Sequence, residues 1–109
     1  MSYTEQDAEK AVQWLIENAA AGAALRADRW RAEEMLKPTK ALIMSQHADK
    51  AVNAQEREAL GDQRYLDALD RATKAIEADE LHRARVKAAE MKVDVWRSMQ
   101  ANLRSTRLG

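Results

Sequence analysis

The chain has no cysteine and no phenylalanine, one proline, three glycines and only 5% aromatic residues. Without cysteine there are no disulfides, no thiolate chemistry and no cysteine-based zinc site. No apolar run approaches the roughly 18 residues of a membrane span, and no signal-peptide core opens the chain, so a cytoplasmic protein is expected. No phosphate loop, nucleophile elbow or catalytic triad pattern occurs, and no catalytic residue or cofactor is assigned. From Asp62 to Ser105 there is neither Gly nor Pro.

Alanine, leucine and charged residues fill that space. Charged residues make up 33% and apolar residues 46% of the 109. Alanine buries little area, at about 25 cal/mol per Å², so the core is thin for the chain length. The net charge is zero but uneven. Residues 1–80 carry 11 Lys/Arg against 16 Asp/Glu, a net of −5, and residues 81–109 carry 7 against 2, a net of +5. A basic final third reads as a helix C-terminus, as charge matching between antiparallel chains, or as a nucleic-acid contact through Arg83, Arg85, Lys87, Lys92 and Arg97. Those cations spread around a helix instead of lining one face, which disfavours the last.

The pattern is all-α. Thr4 with Asp7 is a near capping box. From there Ala8, Val12, Leu15, Ala19, Gly22 or Ala23, and Arg26 trace a stripe, widened by Trp14 and Ile16. One helix is expected over about 4–45, kinked where Pro38 clashes with the Glu34 carbonyl. Gly22 lies in an alanine run and is expected to let another backbone approach. A polar connection follows over 46–52. Asn53 with Glu56 reads as a capping box for a short helix over 54–60, closed by Gly61 at C′. Asp62 caps a helix over 62–105, about 65 Å long at ~1.5 Å per residue.

Two stripes lie on that last helix: Tyr65, Leu69, Ala72 and Ile76, then Ala84, Ala88, Met91, Val95 and Met99. They are out of strict heptad register. The fold expected is a long helical hairpin with a kinked first helix, a short connecting helix and a very long C-terminal helix, forming one domain and a coiled-coil-like homodimer or higher oligomer. Its interface would use Ala19, Gly22, Ala23, Ala84, Ala88, Met91, Val95, Trp96 and Met99. Trp96 is read as an interface anchor and not a base-stacking residue. The last residues, Thr106 to Gly109, are expected to fray.

The metal-ligand patterns are weak. Asp79 and His82 at i, i+3 form half of a di-metal motif with no second copy, and solvated side chains are the expected reading. His47 and Asp49 fall in a loop. Glu33, Glu34, Glu77, Asp79 and Glu80 meet magnesium spacing only once, between Glu77 and Glu80. No metal site is assigned.

Several stretches carry a family likeness. They are Ala8-Glu9-Lys10-Ala11-Val12 with Trp14-Leu15, Arg29-Trp30 with Glu33-Glu34, Ala54-Gln55-Glu56-Arg57-Glu58-Ala59, Tyr65-Leu66 with Ala68-Leu69, and Ala88 through Ser98. Together they resemble small helical proteins of tailed bacteriophages and prophages, encoded among genes of early DNA metabolism. Pro38 departs from the unbroken helix of that group. The resemblance implies a phage protein of the bacterial cytoplasm, accessory to DNA recombination or replication, and carries over no catalytic residue. The expected function is therefore non-enzymatic: binding of a protein partner. Direct nucleic-acid binding through residues 81–109 and inhibition of a host defence enzyme are the alternatives.

Overall fold

A computed structural model describes residues 4–108. Four helices follow one another: α1 (Glu5–Glu34), α2 (Leu36–Ser45), α3 (Val52–Gly61) and α4 (Gln63–Leu108). No strand occurs among the described residues. The sequence explains the ends of these helices. The Thr4 hydroxyl accepts from the Asp7 backbone N–H at 3.2 Å, and the Asp7 carboxylate accepts from the Thr4 N–H at 2.9 Å, a reciprocal capping box. The Thr4 backbone N–H, then its hydroxyl, holds the Asp7 carboxyl below its ordinary range. Asp62, in extended conformation, caps α4 by accepting from the Arg64 N–H at 2.8 Å.

Proline 38 acts upstream of itself. It lacks the N–H that would reach the Glu34 carbonyl, and the helix is interrupted at Met35 between α1 and α2. Met35 keeps right-handed helical dihedrals (φ −73°, ψ −13°), and its N–H still reaches the Arg31 carbonyl at 3.0 Å. The helix is interrupted there without the chain leaving helical conformation.

Other expected boundaries are corrected. Asn53 does not cap α3. The cap position is Ala51, and the Gln55 side chain donates to the Lys50 carbonyl at 2.8 Å. Gly61 is the last residue of α3 and has no positive φ, so the left-handed terminator does not form. α4 continues through the stretch expected to fray and ends at Leu108.

The chain divides into two compact units, and α1 and α4 each contribute to both. In the central unit, Ala24–Glu80, α2 packs on α3, and Ile43 and Ala59 are fully buried. Lys40 reaches Glu56 at 3.6 Å and Lys50 reaches Glu58 at 2.9 Å across the turn and helix pair. The Arg64 guanidinium donates to the Gln46 side chain at 2.7 Å, tying the start of α4 to the turn after α2. On α4, Ala68, Ala72 and Asp79 are buried, while Leu69 is exposed. The buried stripe therefore runs through Ala68, not through Leu69 as the sequence pattern suggested.

In the terminal unit, residues up to Ala23 pack with those from Leu81 onward. Gly22 abuts His82, and the His82 ring lies 5.7 Å from Trp14. On α1 the buried positions are Ala8, Ala11 and Gly22, with Trp14, Leu15 and Asn18 half-buried. On α4 they are Ala89, with His82, Val86, Val93 and Trp96 half-buried. The two inner faces are spaced at helical intervals, as packed helices require. Their helices run antiparallel, since the first turns of α1 lie near Lys92 and Gly22 lies on His82.

Candidate interaction surface

The buried apolar side chains are Ala8, Ala11, Ile43, Ala59, Ala68, Ala72 and Ala89. All but one are alanine, so little apolar area leaves water. The large apolar side chains lie outside. In the terminal unit Ile16 is 67% exposed, Leu81 53% and Met91 60%, with Val12, Val95 and Leu103 also exposed. In the central unit Trp30, Met35, Leu42, Val52, Leu60, Leu66 and Leu69 are exposed.

The exposed residues of α4 in the terminal unit are ordered. Leu81, Ala84, Ala88, Met91 and Val95 are all exposed and recur at 3, 4, 3 and 4 residues. That is the spacing of a coiled-coil seam. At about 100° per residue the seam lies about 135° from the inner face of the same helix. This half of α4 is thus apolar on two sides, and only one side is covered within the chain. On α1, Val12, Ile16, Ala19 and Ala23 are exposed at 4, 3 and 4 residues, about 110° from the inner face.

The expected interface residues separate accordingly. Ala19, Ala23, Ala84, Ala88, Met91 and Val95 stand on the two exposed stripes. Gly22, Trp96 and Met99 do not: Gly22 is buried inside the unit, and Trp96 and Met99 are half-buried. Gly22 does admit a close approach, but by the His82 imidazole and not by a backbone. A Cβ at Gly22 would lie 2.9 Å from His82 Cδ2 and closer still to Nε2.

One buried charge was missed by the sequence reading, which placed Asp79 in solvent. It is 1% exposed. Arg29 Nη1 donates to Asp79 Oδ2 at 3.0 Å and to Glu80 Oε1 at 2.7 Å, and Arg29 Nε donates to Glu33 at 2.9 Å. These hydrogen bonds, led by Glu80, raise the Arg29 pKa above its ordinary value. The acidic residues weighed for magnesium, Glu33, Asp79 and Glu80, are thus drawn around a guanidinium. Among the described residues no three His, Asp or Glu side chains are grouped to hold a metal. The i, i+3 partner of Asp79, His82, packs on Gly22 and Trp14 in the terminal unit instead. The signal that could have found the Asp79 site is its place at heptad-like spacing after Ala68 and Ala72, on a face with no other charge.

Arg83, Arg85, Lys87, Lys92 and Arg97 are exposed. Of these, Arg85, Lys87, Lys92 and Arg97 form no salt bridge among the described residues. A shallow cleft of about 620 Å³ is lined by Trp96, Arg97, Ser98, Gln100, Ala101 and Arg104. In the central unit a cleft of about 300 Å³ lies beside the helix break at Met35, with Arg31 and Arg71 at its rim and Ala32 and Ala68 in its floor. No helix among the described residues is long and apolar enough to cross a membrane. No protein-family model, curated protein or solved structure matches the chain.

Proposed function

We propose that this is a non-enzymatic helical interaction protein that works as an oligomer. It would bind a protein partner in the bacterial cytoplasm. The observation that carries the reading is the inversion of the core: all but one of the buried apolar side chains are alanine, while large apolar side chains such as Ile16, Trp30, Leu81 and Met91 lie outside. Exposed apolar surface of this extent marks sites of association. The phage likeness of the sequence adds the setting, accessory service to DNA recombination or replication. The test is affinity capture from phage-infected host lysate by the wild-type chain and by Trp30→Glu and Leu66→Glu variants. Retention of a recombination or replication protein by the wild type, lost in the variants, supports the reading. Capture of the same proteins by both would contradict it.

A second reading rests on the unpaired cations of α4. Arg85, Lys87 and Lys92 stand exposed around α4, and Arg97 and Arg104 line the Trp96 cleft, a combination of cations and an aromatic that a single-strand binder would use. DNA binding that falls steeply with salt and survives the Trp30 and Leu66 changes would favour it.

A further inference from the structure

We infer that the two exposed stripes of the terminal unit are covered by each other in successive copies: the α1 stripe of one chain seats on the α4 seam of a second. This rests on the reading that the protein acts as an oligomer, and it names the faces and the geometry. Three observations select this pairing.

The first is charge. If two α4 seams met antiparallel, centred on Ala88, Arg85 would flank Lys92 of the partner subunit, Lys87 would meet its own copy, and Glu80 would approach Asp94 of the partner subunit. Every flanking pair is then like-charged, which destabilises a coiled coil. A parallel seam pair sets Lys87 against Lys92 of the partner subunit and offsets that repulsion only by Glu80 against Arg85 of the partner subunit, a Glu80 already held by Arg29. The α1 stripe has the opposite flank. Residues 4–23 hold four acidic side chains, Glu5, Asp7, Glu9 and Glu17, and one basic, Lys10, a net of −3. Glu9 borders the stripe on one side, and Arg85 and Lys92, exposed and without ion pairs among the described residues, border the seam on the side that faces it when the helices cross antiparallel.

The second is register. One antiparallel register sets Glu9 against Lys92. The same register directs Ile16 between Ala84 and Ala88, a large side chain into a gap left by two small ones. Val12 falls between Ala88 and Met91, and Ala19 between Leu81 and Ala84. This is knobs-into-holes complementarity.

The third is direction. From its inner face the α1 stripe lies about 110° one way round the helix, and the α4 seam about 135° the opposite way round. On antiparallel helices rotations of opposite sign point to opposite sides of the pair. A chain therefore offers a stripe on one side and a seam on the other. The contact is heterologous, head to tail, and each added copy leaves one stripe and one seam open.

Two single variants decide the matter, each at an exposed position that the chain's own fold does not use: Ile16→Glu on the stripe and Met91→Glu on the seam. Circular dichroism confirms that both keep wild-type helicity. In sedimentation velocity the wild type should show species that grow with concentration. Each variant alone should stay near the chain mass of 12.3 kDa, with self-association weakened at least tenfold. Mixed in equal amounts, they should form a 1:1 complex that stops there, because the one intact stripe meets the one intact seam. Self-association of Ile16→Glu alone would mean that seam meets seam, and self-association of Met91→Glu alone would mean that stripe meets stripe. A mixture that stays monomeric overturns the pairing. A monomeric wild type that still captures its partner through Trp30 and Leu66 would sink this inference and the oligomeric part of the proposed function, while leaving its protein-binding part standing.

Discussion

Gly22→Ala should change sign with the residue at position 82. In a helix interior, replacing Gly by Ala normally stabilises by about 1 kcal/mol, because Ala restricts the unfolded chain and Gly does not. Here the added methyl meets the His82 ring, with Cδ2 at 2.9 Å and Cε1 at 3.3 Å, and Nε2 is nearer still. The ring cannot retreat freely, since its other face lies 5.7 Å from Trp14. Overpacking of this kind costs about 1–3 kcal/mol, and the cost falls at the low end because the obstacle is a side chain that can rotate. The two effects oppose, so Gly22→Ala in the wild type should be neutral or destabilising by up to about 1 kcal/mol. In a His82→Ala background the obstacle is gone, and the same change should stabilise by about 1 kcal/mol. The cycle of four proteins, melted by urea at one concentration, thus gives a coupling of about 1–2 kcal/mol. Equal stabilisation by Gly22→Ala in both backgrounds would refute the contact, and with it the packing of α1 on α4 in the terminal unit.

Arg29→Met should lower the melting temperature well beyond Arg31→Met, because it strips a partner from the buried Asp79 carboxylate whereas Arg31 forms no ion pair among the described residues; equal melting temperatures would contradict the Arg29 cluster. Asp62 is held down to about 2 by the Arg64 side chain and backbone N–H, from 3.8. A depressed carboxyl contributes stability that is present above its unfolded value and lost as pH falls through its folded one. The advantage of wild type over Asp62→Ala should therefore be constant above about pH 4 and fade toward pH 2, as followed by thermal melts. Trp96→Ala should destabilise the chain by about 2 kcal/mol, as truncation of a packed Trp does, and should leave self-association of the remaining folded chain intact. A variant of unchanged stability and lost association would move Trp96 from the inner face to the interface.

Much of the fold could be read from local chemistry. The helices, the Thr4–Asp7 box, the Asp62 cap and the helix break before Pro38 depend on residues within a turn of one another. The choice of inner face did not. On α1 and on the second half of α4, alanines and branched residues recur at helical spacing on two sides, and one periodicity fits both. The long-range packing chose Ala8, Ala11 and Gly22 over Val12 and Ala19, and Ala89 and Val93 over Ala88 and Met91. Asp79 was hidden for a similar reason. Its partner Arg29 lies 50 residues away, so only its helical spacing after Ala68 and Ala72 hinted at burial. Asn53 and Gly61 carry good cap and terminator chemistry, yet α3 starts one residue before Asn53, and Gly61 keeps a negative φ.

Sedimentation equilibrium of the wild-type chain at micromolar concentration tests the central claim most directly. An oligomer that covers its exposed stripes should show at least twice the chain mass of 12.3 kDa. A homogeneous monomer with full helicity and a cooperative melt would contradict the oligomeric account.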